Sequence, residues 1–307
     1  MIEAVDLGRK FGELTAVENL NLSIDKGEVL GFLGPNGAGK TTTIRMLSCL
    51  IRPTWGQASI NGYDIRKDGH EIRKMVGIQT ESPGFYERLS VKRNLEFFSQ
   101  LYTASNLSKK IDTYLGLFDL KDRINSPVKD LSKGMKQKLA LTRALLHDPE
   151  VLFLDEPTSA LDPQAAKKVR EFIKEMSISG RTIFLSTHNL AEAELLSDRI
   201  AVFNQRVIAI DTPKNLRSQL FIHKTCIRLQ YLDDSYRRSL EILDFVHNIE
   251  VIDNGYIIEI ERPEKHVPAV IDNLVNLGAR IQHVSDVEHS LEEVYTTLIN
   301  EEKEMAS

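Results

Sequence analysis

Residues 34–42 read Gly34-Pro35-Asn36-Gly37-Ala38-Gly39-Lys40-Thr41-Thr42, and the rest of the chain is read outward from them. The run before them, Val29-Leu30-Gly31-Phe32-Leu33, is short and apolar, as a buried strand is. The run after them, Thr43-Ile44-Arg45-Met46-Leu47, reads as the start of a helix. Strand, glycine-rich turn and helix in that order are the setting of a phosphate-binding loop. Gly34, Gly37 and Gly39 permit backbone angles that a side chain forbids, and they let main-chain N–H groups approach phosphate oxygens. The helix N-terminus adds unpaired donors and a partial positive charge. Lys40 is placed to reach β- and γ-phosphates, and the Thr41 hydroxyl to ligate Mg²⁺.

The composition sets wide bounds. A length of 307 residues suggests about two domains. Hydrophobic residues at 42% and charged residues at 27% are ordinary for a globular protein with a sizeable core. The net charge of -5 supplies no basic field for nucleic acid. No apolar run approaches the roughly 18 residues of a membrane span. The first residues hold no apolar signal core, so the expected location is the cytoplasm. Cys49 and Cys226 lie far apart and fit no metal spacing; they read as reduced thiols.

Upstream of the loop, residues 1–30 alternate apolar and polar positions and read as short half-buried strands. Phe11 sits between them and reads either as a minor core aromatic or as a ring that stacks on a base. Residues 56–65 read as a hairpin around Asn61-Gly62. Residues 76–78 form a short strand that ends at Gln79-Thr80-Glu81. Helical spacing follows from about residue 90 to 120, and Pro127 breaks it. Ser132 is a candidate N-cap for a helix through Leu146, with Lys133, Lys136, Lys138 and Arg143 expected toward its beginning. Such a helix start is either an anion site or a solvated basic face.

Val151-Leu152-Phe153-Leu154 is a second buried run and ends at Asp155-Glu156. Beside a phosphate loop, Asp155 is placed to hold Mg²⁺, and Glu156 to take a proton from an attacking water. Asp162-Pro163 opens a helix with a cap and a first-turn proline. A third buried run ends at Thr187-His188. A lone histidine there can be structural, but ligands gather at the carboxyl ends of parallel strands.

These stretches, in this order, resemble the nucleotide-binding subunit of the ATP-binding cassette (ABC) transporters, nearest to drug- and antibiotic-exporter ATP-binding proteins. Residues 34–42 resemble the Walker A loop, residues 151–157 Walker B with its following glutamate, and residues 131–135 (LSKGM) the family signature. Residues 159–162 match the D-loop, His188 the switch histidine, and Phe11 the aromatic that stacks on adenine. Lys133 and Met135 depart from the common signature. The Q-loop position aligns with Glu81, with Gln79 as the other choice.

The resemblance implies an α/β fold: a P-loop NTPase core of RecA-like type with a mainly parallel sheet, an antiparallel β subdomain and a helical subdomain at about residues 82–146. The ATPase domain would span residues 1–215. It implies ATP and Mg²⁺ as cofactors and ATP hydrolysis as activity. Asn36, Gly37, Ala38, Gly39, Lys40, Thr41, Thr42 and Phe11 would bind the nucleotide; Ser132, Gly134 and Asp162 would reach it from a second chain. Thr41, Asp155 and Glu81 would serve the metal, and Glu156, His188 and Lys40 catalysis. The expected partners are a separate integral-membrane permease and a second copy or a paralogous ATPase, without nucleic acid. The chain would sit peripherally on the inner face of the cell membrane. The loop of Pro83, Gly84, Phe85 and Tyr86 would dock the permease, the other reading being an ordinary loop. The alternative is a soluble cassette protein acting on ribosomes or nucleic acid. Residues 216–307 alternate strand, helix, strand, strand, helix, strand, which resembles a small α+β ferredoxin-like unit. This accessory domain reads as regulatory, dimer-supporting or merely structural.

Overall fold

The computed structural model describes residues 1–102, 106–220, 224–287 and 290–305; the expected helical segment and tail each include residues outside these ranges. Two compact units emerge, Met1–Pro213 with the chain end from Glu302, and Lys214–Glu301.

The first unit begins with β1 (Ile2–Phe11) and β2 (Leu14–Ile24), antiparallel to each other. Both run longer than the short strands expected. Register shifts between Ala4 and Lys10, with positive φ at Asp6 and Asn19, absorb the breaks in alternation. β3 (Val29–Leu33) is buried throughout and delivers the chain to α1 (Lys40–Leu47). β4 (Trp55–Ile60) and β5 (Tyr63–Asp64) make the hairpin read from Asn61-Gly62, where both turn residues have positive φ. These strands close a four-stranded antiparallel sheet, β2-β1-β4-β5.

The chain continues through α2 (Gly69–Met75), β6 (Val76–Gln79), α3 (Val91–Ser99), α4 (Leu107–Leu117), α5 (Lys133–Leu145), β7 (Val151–Asp155), α6 (Pro163–Ile178), β8 (Thr182–Thr187), α7 (Leu190–Leu196), β9 (Arg199–Asn204) and β10 (Arg206–Asp211). The central sheet has the order β10-β9-β3-β8-β7-β6, parallel except for β10. β3, β7 and β8 expose nothing, because elements cover both faces of such a sheet; their unbroken apolar sequence follows. Phe32 packs against Phe184 and Phe203, with ring centroids 4.8 and 4.3 Å apart.

Ser132 caps α5, its Oγ accepting from Met135 N at 3.2 Å. Arg143 is not near the beginning of that helix but in its last turn. It lies over the rings of Phe85 and Phe98 and donates to the Gly84 carbonyl at 3.1 Å. Burial among those rings pushes its pKa down to about 10. Lys136 pairs with Glu87 at 3.1 Å. Two of the four basic residues therefore hold the loop before α3 and are not a free solvated face.

After β10 comes α8 (Pro213–Leu220). The second unit holds β11 (Lys224–Leu229), α9 (Asp234–Glu241), β12 (Val246–Ile252), β13 (Gly255–Ile260), α10 (Pro263–Asn276) and β14 (Ile281–Val287), followed by α11 (Leu291–Met305). Its sheet is antiparallel with the order β12-β13-β11-β14. Ile227, Leu229, Tyr236, Leu240, Ile258 and Leu274 form its core. Ser290 and Glu293 cap α11 reciprocally at 3.1 and 3.2 Å, as the sequence Ser290-Leu291-Glu292-Glu293 predicts. No helix among the described residues is long and apolar enough to cross a membrane.

Candidate functional site

β3, β6, β7 and β8 are parallel neighbours, so their carboxyl ends open on one edge of the sheet. There lie the loop of residues 34–42, the segment from Gln79 to Glu81, the pair Asp155-Glu156, and Thr187-His188. A cavity of about 370 Å³ sits at this edge, lined by Phe11, the loop from Pro35 to Thr42, Glu81, Asp155 and Glu156.

The loop's geometry depends on Gly39. Its φ of 101° is one that side chains rarely adopt, and a Cβ there would stand 2.2 Å from the Ala16 carbonyl oxygen. That backbone starts α1 directly at Lys40, with first-turn N–H groups at the cavity. Lys40 is buried. Its Nζ donates to the Gly34 carbonyl at 2.7 Å and the Pro35 carbonyl at 3.1 Å, and lies 3.4 Å from Glu156 Oε1.

Asp155 is held on every side. Thr41 Oγ1 donates to its Oδ2 at 2.8 Å and Ser186 Oγ to its Oδ1 at 2.5 Å. Gln79, fully buried, accepts from Asp155 N at 3.1 Å and donates to the Asp155 carbonyl at 3.2 Å. Its amide therefore belongs to the backbone of β7. Glu81, two residues on, is exposed and borders the cavity.

Glu156 leaves β7 with φ 51°, in the left-handed region. Its N–H donates to the Ser186 carbonyl at 3.0 Å, and its own carbonyl accepts from Gln137 Nε2 at 3.0 Å and Ser159 Oγ at 3.1 Å. Its Oε2 is 2.8 Å from His188 Nδ1. Its buried Oε1 takes no hydrogen bond from any described residue. Lys40 and Glu156 thus stand together in the cavity wall, and His188, exposed and not among the lining residues, contacts Glu156 from beside it.

Phe11 ends β1, 45% exposed at the rim, with the Arg9 guanidinium 4.5 Å from its ring centre. A partly exposed aromatic ring at a cavity mouth suits a planar base. Ser132 and Asp162 are exposed and Gly134 half-buried, and none of the three lines this cavity. Asp162 caps α6, accepting from Gln164 N and Ala165 N at 3.1 and 2.9 Å; those N–H groups hold its carboxyl below its ordinary pKa.

Sequence reasoning missed Ser186 and Gln137. Ser186 carried a signal, a polar residue in the last two positions of an otherwise apolar strand, just before His188. Gln137 lies inside a helix whose neighbours are all credible surface, and nothing marked it.

The family of ABC transporters matches residues 17–159. The uncharacterized ABC transporter ATP-binding protein YhcH of Bacillus subtilis (strain 168) is 35% identical over 305 residues, covering 99% of this chain and 97% of that one. The bacitracin transport ATP-binding protein BcrA of Bacillus licheniformis is 36% identical over 307 residues, with 97% of each chain covered. Among solved structures, the dimeric post-hydrolysis state of the ATP-binding cassette MJ0796 bound to ADP and Pi is similar, at 27% identity and a TM-score of 0.64. That match covers 69% of this chain and 98% of the other. With the geometry above, these similarities identify the chain as a member of the ABC transporter family, an ATP-binding and ATP-hydrolysing subunit.

Proposed function

We propose that two such chains, this one with a second copy or with a paralogous ATPase, close on ATP to power export through a separate integral-membrane permease. The observation that carries this is the one-sided cavity: residues 35–42, Asp155 and Glu156 line it, while Ser132, Gly134 and Asp162 do not. A surface that binds phosphate on one side is completed by a symmetry-related surface, giving two equivalent sites per pair. The dimeric MJ0796 cassette is a relative in which such a pair exists.

In this reading Phe11 stacks on adenine, and residues 36–42 bind the phosphates through main-chain N–H groups and Lys40. Glu156 accepts the proton of the attacking water. His188 holds Glu156 through Nδ1 and keeps Nε2 for the γ-phosphate. Ser132, Gly134 and Asp162 act on the partner's nucleotide. Thr41 and Asp155 are hard oxygen donors hydrogen-bonded at 2.8 Å, and they fit Mg²⁺, which takes one or two protein oxygens beside phosphate. Bound there, Mg²⁺ would neutralise charge on the phosphate oxygens. Glu81 is the Q-loop side chain left to serve it, since the Gln79 amide is engaged by Asp155.

Residues 1–215 act as the ATPase domain, with the described residues of 82–146 as its mobile helical part. Residues 216–307 act as an accessory domain for regulation or dimerisation. The order of strands and helices and the sheet order β12-β13-β11-β14 support a ferredoxin-like fold for it. Kinship with a bacitracin transport protein and the departures at Lys133 and Met135 support export. Permease docking on the inner face of the membrane falls to residues 81–88, where Tyr86 is 49% exposed beside Phe97.

Full-length chain recovered from detergent-solubilised membranes is expected to bring a polypeptide with several apolar spans. Recovery with ribosomal proteins or nucleic acid alone would overturn the transport reading in favour of the soluble alternative. Phe11→Ala is expected to weaken ATP binding about tenfold, since stacking on a base contributes about 1–3 kcal/mol. Its kcat at saturating ATP should hold, which steady-state kinetics can read.

A further inference from the structure

Behind the cavity wall lies a polar cluster that none of the roles above uses. Glu192, in the first turn of α7, is 3% exposed. Its Oε1 accepts from Thr158 Oγ1 at 2.7 Å and its Oε2 from Thr187 Oγ1 at 2.8 Å. Thr187 Oγ1 also accepts from Asn189 N at 3.0 Å, and the Asn189 side chain accepts from Glu192 N at 3.1 Å. No described Lys, Arg or His forms an ion pair with Glu192. A buried carboxylate without a cation is costly, so its two hydroxyl partners matter.

The placement of those hydroxyls is informative. Thr158 lies two residues after Glu156, and Thr187 immediately precedes His188. β7 and β8 are in register as far as Asp155 opposite Ser186, and Glu156 N still reaches the Ser186 carbonyl. Beyond that point the ladder ends and the two segments diverge, one of them with a left-handed residue at Glu156. The Thr158–Glu192–Thr187 bridge rejoins them. The bridge spans the same two segments that bring Glu156 and His188 to 2.8 Å of each other.

We infer that Glu192 is a positioning residue for ATP hydrolysis, holding the segments of Glu156 and His188 in register behind the site. The inference rests on Glu156 being the base. Glu192 is not among the residues that line the cavity, so its loss should act on kcat and spare binding.

The test uses the full-length chain and measures kcat, KM, the Kd for a non-hydrolysable ATP analogue, and Tm. Glu192→Ala is expected to lower kcat by about thirtyfold or more with Kd within about threefold. Thr158→Val keeps the side-chain shape, removes one hydroxyl, and should lower kcat by about tenfold. Glu192→Gln keeps the length and one acceptor oxygen, and should recover kcat to within about fivefold of the native chain. If Glu192→Ala does not fold, Thr158→Val decides. Native kcat in these variants, beside an inactive Glu156→Gln, would overturn the inference and leave the base assignment standing. Active Glu156→Gln would overturn the base assignment itself. Loss of kcat, Kd and Tm together would reduce Glu192 to a fold support and also overturn the inference.

Discussion

Glu156→Gln is expected to lower ATP turnover by about 10²–10⁴-fold while ATP binding persists. The substitution is nearly isosteric. The backbone contacts that fix this residue, with Ser186, Gln137 and Ser159, do not involve the changed group. The amide can still meet His188. What disappears is the basic oxygen that would receive the water's proton. A negative charge 3.4 Å from Lys40 disappears as well, and that charge opposes an incoming γ-phosphate. ATP should therefore bind the variant as tightly as the native chain or more so. Without hydrolysis nothing releases the γ-phosphate contacts, so the pair should stay closed. Size-exclusion chromatography with ATP should find Glu156→Gln as a dimer and the native chain mostly as a monomer. Native turnover in the variant would remove Glu156 from the mechanism.

Much of this site is legible in sequence for a physical reason. Parallel strands buried on both faces are written as unbroken apolar runs, so residues 29–33, 151–155 and 182–187 stand out, and so do the polar residues that end them. Asp155 ends one such run, Glu156 and His188 sit one step past theirs, and Lys40 follows the first across the turn of residues 34–39. Ser132 and Asp162 are legible too, because a helix cap is a local event. Gln79 against Glu81 could not be decided that way. Which of two neighbouring polar side chains turns inward depends on the register of β6 with β7, a long-range pairing. The alternative of a solvated basic face fails at Arg143 for a similar reason, since its cation lies over Phe85 and Phe98 from outside its own helix, whereas its place in the last turn is a local count from Ser132. α2, α7 and α8, each of seven or eight residues, are too short to write a clear helical period. Glu192 reads as a solvated helix charge until Thr158 and Thr187 are seen against it.

Lys40→Ala is expected to lower ATP affinity by at least about thirtyfold, because hydrogen bonds to charged groups contribute about 1.5–3 kcal/mol each and this ammonium can make more than one. Lys40→Arg should not restore it. The Lys40 side chain is 7% exposed and lies against the Gly34 and Pro35 carbonyls, where a planar guanidinium would not fit. A second variant makes the result diagnostic. Ser132→Asp keeps the helix cap, since aspartate caps as well as serine does. It also sets a negative charge where a partner's γ-phosphate would arrive, so it too should be inactive alone. Each variant is intact where the other is damaged. In a mixed pair, the loop of the Ser132→Asp chain faces the native Ser132 of the Lys40→Ala chain, and one complete site is restored. Random pairing of equal amounts makes about half the dimers mixed, each with one of its two sites intact, so about a quarter of native activity should return. Recovery on mixing can come only from a site shared between chains. If the mixture stays as inactive as its parts while the native chain is active under the same conditions, Ser132 does not serve the partner's nucleotide and each chain hydrolyses ATP alone.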